Sequence, residues 1–217
     1  MSKSEVVIEV DAIQSSIRNS LKEFGFKVRG RTFNRQTLDG LTQVINFQMG
    51  QSEPPASVFI PGLKENFYGL FTVNLGVYVP EVAEFHGGCL AKSWVQEYNC
   101  CIRDRLGPLS GLTKDIWWRT QNTPAVTEEI RTLLLTFGLN FLNRFESRAC
   151  ILKELEGAEN NLSYCNTPRI VSSIIYTKQN ETEKARNLLQ KQVLETHNIR
   201  HPEYVRALAI RLGLGVI

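Results

Sequence analysis

Four residues of metal-ligand type fall within one stretch of the chain: His86, Cys89, Cys100 and Cys101. Imidazole and thiolate are zinc ligands, and one short loop can present both His86 and Cys89. A Cys-x-x-Cys pair is missing. Consecutive residues of a strand point to opposite faces, so Cys100 and Cys101 do not readily meet one ion. The expectation is that the thiols are buried and structural, since free cysteine packs as a small apolar side chain. The same residues raise a second chemistry, with Cys89 or Cys100 as nucleophile and His86 as base. That chemistry requires a base within hydrogen-bond reach and a third group to orient it. The stretch His86-Gly87-Gly88-Cys89 reads as a loop and fixes no such geometry.

A second set is Arg29, Arg31, Arg103 and Arg105 with Asp104, Asp115, Trp117 and Trp118. Arginine and tryptophan are frequent anchors of protein interfaces, and the guanidinium fork suits a carboxylate or a phosphate. The set has two readings. In one, Arg29, Arg31, Arg103, Arg105, Trp117 and Trp118 form a contact surface for an acidic partner or a phosphate-bearing ligand. In the other, Arg103 or Arg105 pairs with Asp115 and the indoles pack on the sheet. Glycine-rich phosphate loops are not recognisable: Gly87-Gly88 and Gly213-x-Gly215 lack the strand-to-helix context and companion residues.

Composition sets the frame around these residues. The chain has 217 residues, 42% hydrophobic and 22% charged, enough to bury a core. A net charge of +3 is too small to make nucleic acid an expected partner. Five cysteines, two of them adjacent, make a poor disulfide framework. No signal-peptide core and no membrane-length apolar window is visible, so a reduced cytoplasmic protein is expected.

The elements that must position the candidates are strands first and helices last. A helix is expected from Asp11, with Asp11 and Gln14 as a capping pair and Ile13, Ile17, Leu21 and Phe24 as its apolar stripe. Gly25 should stop it in the left-handed conformation. One strand from Phe26 to Arg35 follows, with Phe26, Val28 and Thr32 on one face and Lys27, Arg29, Arg31, Phe33 and Arg35 on the other. Further strands are expected at 41–49, 70–79 and 98–107, with a long loop at 50–68. A core helix opens at Thr127, carrying Ile130, Leu133, Leu134, Phe137, Phe141, Leu142 and Phe145, with Gly138 as a mild liability inside it. After Ser147 the pattern is helical throughout: 148–156, 167–177, a helix from Asn180 with Glu183 as its capping partner, and one from Pro202. Tyr176, Ala185 and Leu189 have the spacing of a tetratricopeptide-like hairpin, although its other signature positions do not match. The fold class is therefore α+β: a mostly antiparallel sheet packed by two helices, with an all-helical C-terminal segment. The domains read as 1–147 and 148–217.

Over residues 21–145 the chain resembles a bacterial domain-of-unknown-function family. The resemblance is carried by Gly25-Phe26-Lys27, Arg31-Thr32-Phe33, Gln43 to Gln48, Phe71 to Val77, Cys100 to Gly107 and Asp115-Ile116-Trp117-Trp118. It implies a small α+β domain, and members are associated with toxin–immunity or phage-defence neighbourhoods. The expected function is a non-catalytic protein-binding domain of immunity or defence type, with a protein partner and no cofactor. One alternative is an enzyme or ligand-binding domain for a phosphorylated or nucleotide-like compound, with Arg29, Arg31, Arg103 and Arg105 as anion clamps. Another is a structural subunit that oligomerises through the C-terminal helices.

Overall fold

The computed structural model describes residues 5–50, 67–87, 90, 93–111, 115–121, 124–157, 162–196 and 199–217. Most of the expected 50–68 loop, and Cys89, lie outside them. In chain order the elements are α1 (Glu5–Glu23), β1 (Lys27–Arg29), β2 (Thr32–Gln36), β3 (Thr42–Met49), β4 (Leu70–Tyr78), α2 (Pro80–Val82), β5 (Ile102–Arg105), α3 (Leu106–Leu109), β6 (Trp118–Arg119), α4 (Pro124–Leu133), α5 (Leu139–Asn143), α6 (Arg148–Leu155), α7 (Pro168–Lys178), α8 (Thr182–Glu195) and α9 (His201–Arg211). The protein is α+β, with an antiparallel six-stranded sheet in the order β1-β2-β3-β4-β5, β6 also pairing with β4, and a helical C-terminal segment. The chain divides into two compact units. The first comprises Met1–Arg35, Val44–Leu75 and Asp104–Phe141, and the second Gln36–Gln43, Gly76–Arg103 and Leu142–Ile217.

In the first unit, α1 begins six residues before the expected Asp11, because Val10 extends the buried stripe of Ile13, Ile17 and Leu21 toward the N-terminus. Asp11 and Gln14 therefore lie inside the helix and cap nothing. Their spacing puts them on one helical face, from which both reach the β1–β2 turn. Asp11 pairs with Arg31 at 2.8 Å, and the Gln14 amide donates to the Gly30 carbonyl at 3.0 Å. Gly25 closes the helix at φ +84°, with the Phe26 N–H returning to the Leu21 carbonyl at 3.2 Å. Phe24 leaves the stripe and is 45% exposed.

The single strand expected from Phe26 to Arg35 is a hairpin. Val28 opposes Phe33 and Arg29 opposes Thr32 across a two-residue turn, Gly30-Arg31. Gly30 takes φ +58°, which a side chain would oppose, and this reverses the chain. The reversal carries Phe33 into the core, where an aromatic ladder crosses the sheet. Phe33 meets Phe47 at 6.1 Å, Phe47 meets Phe71 at 6.3 Å, and Phe71 meets Trp118 at 6.0 Å between ring centroids. Each such pair contributes about 0.5–1.5 kcal/mol beyond area burial.

α4 starts at Pro124, not Thr127, and packs on α1. A wide turn at Leu134–Gly138 joins it to α5. Gly138 stands where a side chain has little room. A Cβ there would lie 3.1 Å from Leu75 Cδ2 and 3.2 Å from Leu134 Cδ2. The wide turn also moves Phe137 off the buried face, to 37% exposure.

The second unit is built on α6 to α9. Ser147 caps α6, its hydroxyl accepting from the Cys150 N–H at 3.2 Å. α7 is buried almost throughout and packs on α6, α8 and α2. Asn180 does not cap α8; it adopts φ +63° in the α7–α8 turn, and α8 starts at Thr182. α9 starts at His201. Residues 97–99 form a 3-10 turn, so β5 starts only at Ile102.

One polar group holds α6 in place. The Arg148 guanidinium grips both Glu81 oxygens, with Nη2 at 2.8 Å, and its backbone N–H donates to Asp39 Oδ2 at 2.7 Å. The Glu81 side chain is 6% exposed. Replacing Arg148 by methionine should cost about 3 kcal/mol, because a buried carboxylate loses its counter-charge. Urea denaturation reads the loss, and adding Glu81→Leu to Arg148→Met should recover much of it. An unchanged midpoint in the single variant would show that the pair does not hold the unit together.

Candidate functional site

Of the arginines and tryptophans named from sequence, Arg29, Arg31, Arg105, Trp117 and Trp118 fall in the first unit and Arg103 in the second. Arg29 is exposed on β1. Arg31 is held by Asp11 and Arg103 by Glu97. Arg105 is held by Asp115. Each guanidinium with an acid has a different one. Trp118 is 6% exposed and its indole N–H donates to Glu129 at 3.1 Å, which makes it a core residue rather than a contact residue.

What does gather, in the first unit, is a smaller network around Arg105. Its Nε donates to Asn74 Oδ1 at 3.2 Å, and the Asn74 amide donates to Gln48 Oε1 at 2.7 Å. The Trp117 indole N–H donates to Asp115 at 3.1 Å, with the Arg105 guanidinium 5.4 Å from the Trp117 ring. Phe67 packs on Trp117 at 4.4 Å.

His86 lies on a wide helical turn, Ala83–Gly87, rather than in a loop. Both ring nitrogens are engaged: Nδ1 with the Tyr204 hydroxyl at 2.5 Å and Nε2 with the Thr167 hydroxyl at 3.0 Å. The Cys100 thiol donates to the Gln96 carbonyl at 3.8 Å, and the Cys101 thiol to the Val77 carbonyl at 3.7 Å. Burial pushes the Cys100 and Cys101 thiols well up and Cys165 up to about 11, which leaves little thiolate for nucleophilic attack. Among the described residues no His/Cys/Asp/Glu group is arranged to hold a metal ion. None of their helices is long and apolar enough to cross a membrane.

The cavity of interest lies in the second unit, between α6, α7 and α8. It is a cleft of about 430 Å³, within the usual size of ligand sites. Leu152 and Leu155 of α6, Tyr176 of α7 and Leu188 of α8 supply its apolar lining. Arg169 also lines it and is 7% exposed, with Nη2 donating to Glu195. Lys184, Lys191 and Glu156 complete its charged lining. Helical periodicity explains the arrangement: Lys184, Leu188, Lys191 and Glu195 recur at three and four residues along one face of α8. Sequence reasoning marked Tyr176 only as a hairpin position and left Arg169 unmarked. An arginine directly after the proline that opens the helix, Pro168-Arg169, was the available signal.

His86 sets a pH dependence. Burial lowers its pKa from the ordinary 6.5, and nearby His201 and Arg211 lower it further. The unfolded chain then takes a proton near pH 6.5 that the folded chain refuses, so stability is full above that pH and falls as the pH drops toward the lowered value. The thermal midpoint should decline as the pH falls below 6.5, and His86→Gln should flatten that decline. An identical slope in the variant would assign the dependence to other groups.

Residues 62–144 match the model of a family described as "Domain of unknown function (DUF4304)". No curated protein and no solved structure matches the chain. The α6–α8 cleft, drawn from residues 152–195, lies beyond the matched span.

Proposed function

We propose that this protein is a non-catalytic binding protein that engages another protein, in the manner of an immunity- or defence-type partner. The observation that carries the reading is the α6–α8 cleft, which joins an aliphatic lining, a tyrosine and a buried arginine. Tyrosine and arginine in desolvated pockets are the residues that most often dominate binding energy. The engaged nitrogens of His86 and the raised thiol pKa values add support, because they favour binding over cysteine chemistry. Three of the four candidate anion-clamp arginines are held by separate acids, which weighs against a phosphate site built from them. The finer role, immunity or defence, rests on the family resemblance alone.

The test is affinity capture from the native host with mass spectrometry, comparing the wild-type chain with Leu188→Asp and Tyr176→Ala at matched thermal midpoints. One protein should be enriched by the wild type and lost with the variants. Capture of no protein, or turnover of a small-molecule substrate by the purified chain, would overturn the reading.

A further inference from the structure

We infer that the α6–α8 cleft takes a short peptide segment that combines an acidic side chain with aliphatic ones. This rests on the binding reading above and specifies its ligand. Three observations define the chemistry. Among the described residues, the Arg169 guanidinium donates to Glu195 through Nη2, and Arg169 also lines the cleft. A guanidinium so placed offers a parallel pair of N–H donors, the geometry that a carboxylate accepts. Glu195 is half-exposed, with its side chain at 50%, so an incoming acid competes with a partner that water already reaches.

Counting Arg169, the cleft lining carries three cations to two acids, an excess of one positive charge. Lys184 and Lys191 line the same cleft, against Glu156 and Glu195. The acid of Lys184 is the exposed Glu181 at 3.4 Å, a solvent-screened pair of small energetic value. An acidic segment is therefore attracted to the mouth of the cleft, while a basic one meets like charge. The remaining lining, Leu152, Leu155 and Leu188, is aliphatic and needs an apolar side chain to displace water from it. A free phosphate or a nucleotide satisfies Arg169 but leaves that aliphatic wall uncovered. The peptide satisfies both.

The experiment is fluorescence anisotropy on the full chain with two labelled peptides of about a dozen residues. One is built of Glu and Leu, and the other carries Lys in place of Glu. The Glu/Leu peptide should bind at least about tenfold more tightly than the Lys/Leu peptide, and more weakly as salt rises. Lys191→Glu lies on the exposed face of α8, where the fold tolerates it, and should weaken Glu/Leu binding by about tenfold. Arg169→Lys, which keeps the charge and removes the fork, should also weaken it. Equal binding of both peptides, binding of neither, or an unchanged affinity in Lys191→Glu overturns the inference. If host capture still enriches a protein that Leu188→Asp loses, the ligand chemistry alone fails and the binding reading stands.

Discussion

The second unit depends on keeping one carboxylate charged where water scarcely reaches it. Glu81 follows Pro80 in α2, and its backbone position is fixed by the turn out of β4. An isolated carboxylate there would cost several kcal/mol. Arg148 removes that cost from the first turn of α6, and by also binding Asp39 it joins two segments far apart in sequence. The hydrogen bonds that the Arg148 guanidinium donates to Glu81, and its pairing with Asp39, raise its pKa. With the start of α6 fixed, Leu152 and Leu155 are presented one and two turns later as a wall of the cleft. The cleft is thus set by an ion pair that does not line it.

The first unit uses a similar device with different chemistry. Its core is the ladder Phe33, Phe47, Phe71 and Trp118. The ladder requires Phe33 to face the core, which depends on the reversal at Gly30-Arg31. Asp11 and Gln14 hold that reversal from α1, one by charge and one by a carboxamide. Both polar groups are therefore fold determinants.

Features governed by local periodicity were legible in the sequence. The stripe Ile13, Ile17 and Leu21, the left-handed stop at Gly25, the strand at 70–78 and the helices after Ser147 each declare themselves within a few residues. Features that depend on distant partners were not. The Gly30-Arg31 turn lacks an Asn-Gly or Asp-Gly signal, and its flanking residues alternate as one strand would. Asp11 and Gln14 fit a capping pattern as well as they fit a tie to a turn. His86 and Tyr204 are 118 residues apart, and no local pattern announces their contact. The cleft was hidden for the same reason: α6 contributes Leu152 while α8 contributes Leu188, and the pairing of helices exists only in the fold.

The thiols of Cys100, Cys101 and Cys165 carry one further consequence. Oxidation, alkylation and disulfide exchange all proceed through the thiolate. Burial holds these three sulfurs in the protonated form at physiological pH. For Cys100 and Cys165, which are buried, a reagent also needs the surrounding packing to open before it reaches the sulfur. The rate at which a thiol reagent modifies Cys100 and Cys165 is then a clock for the breathing of the core.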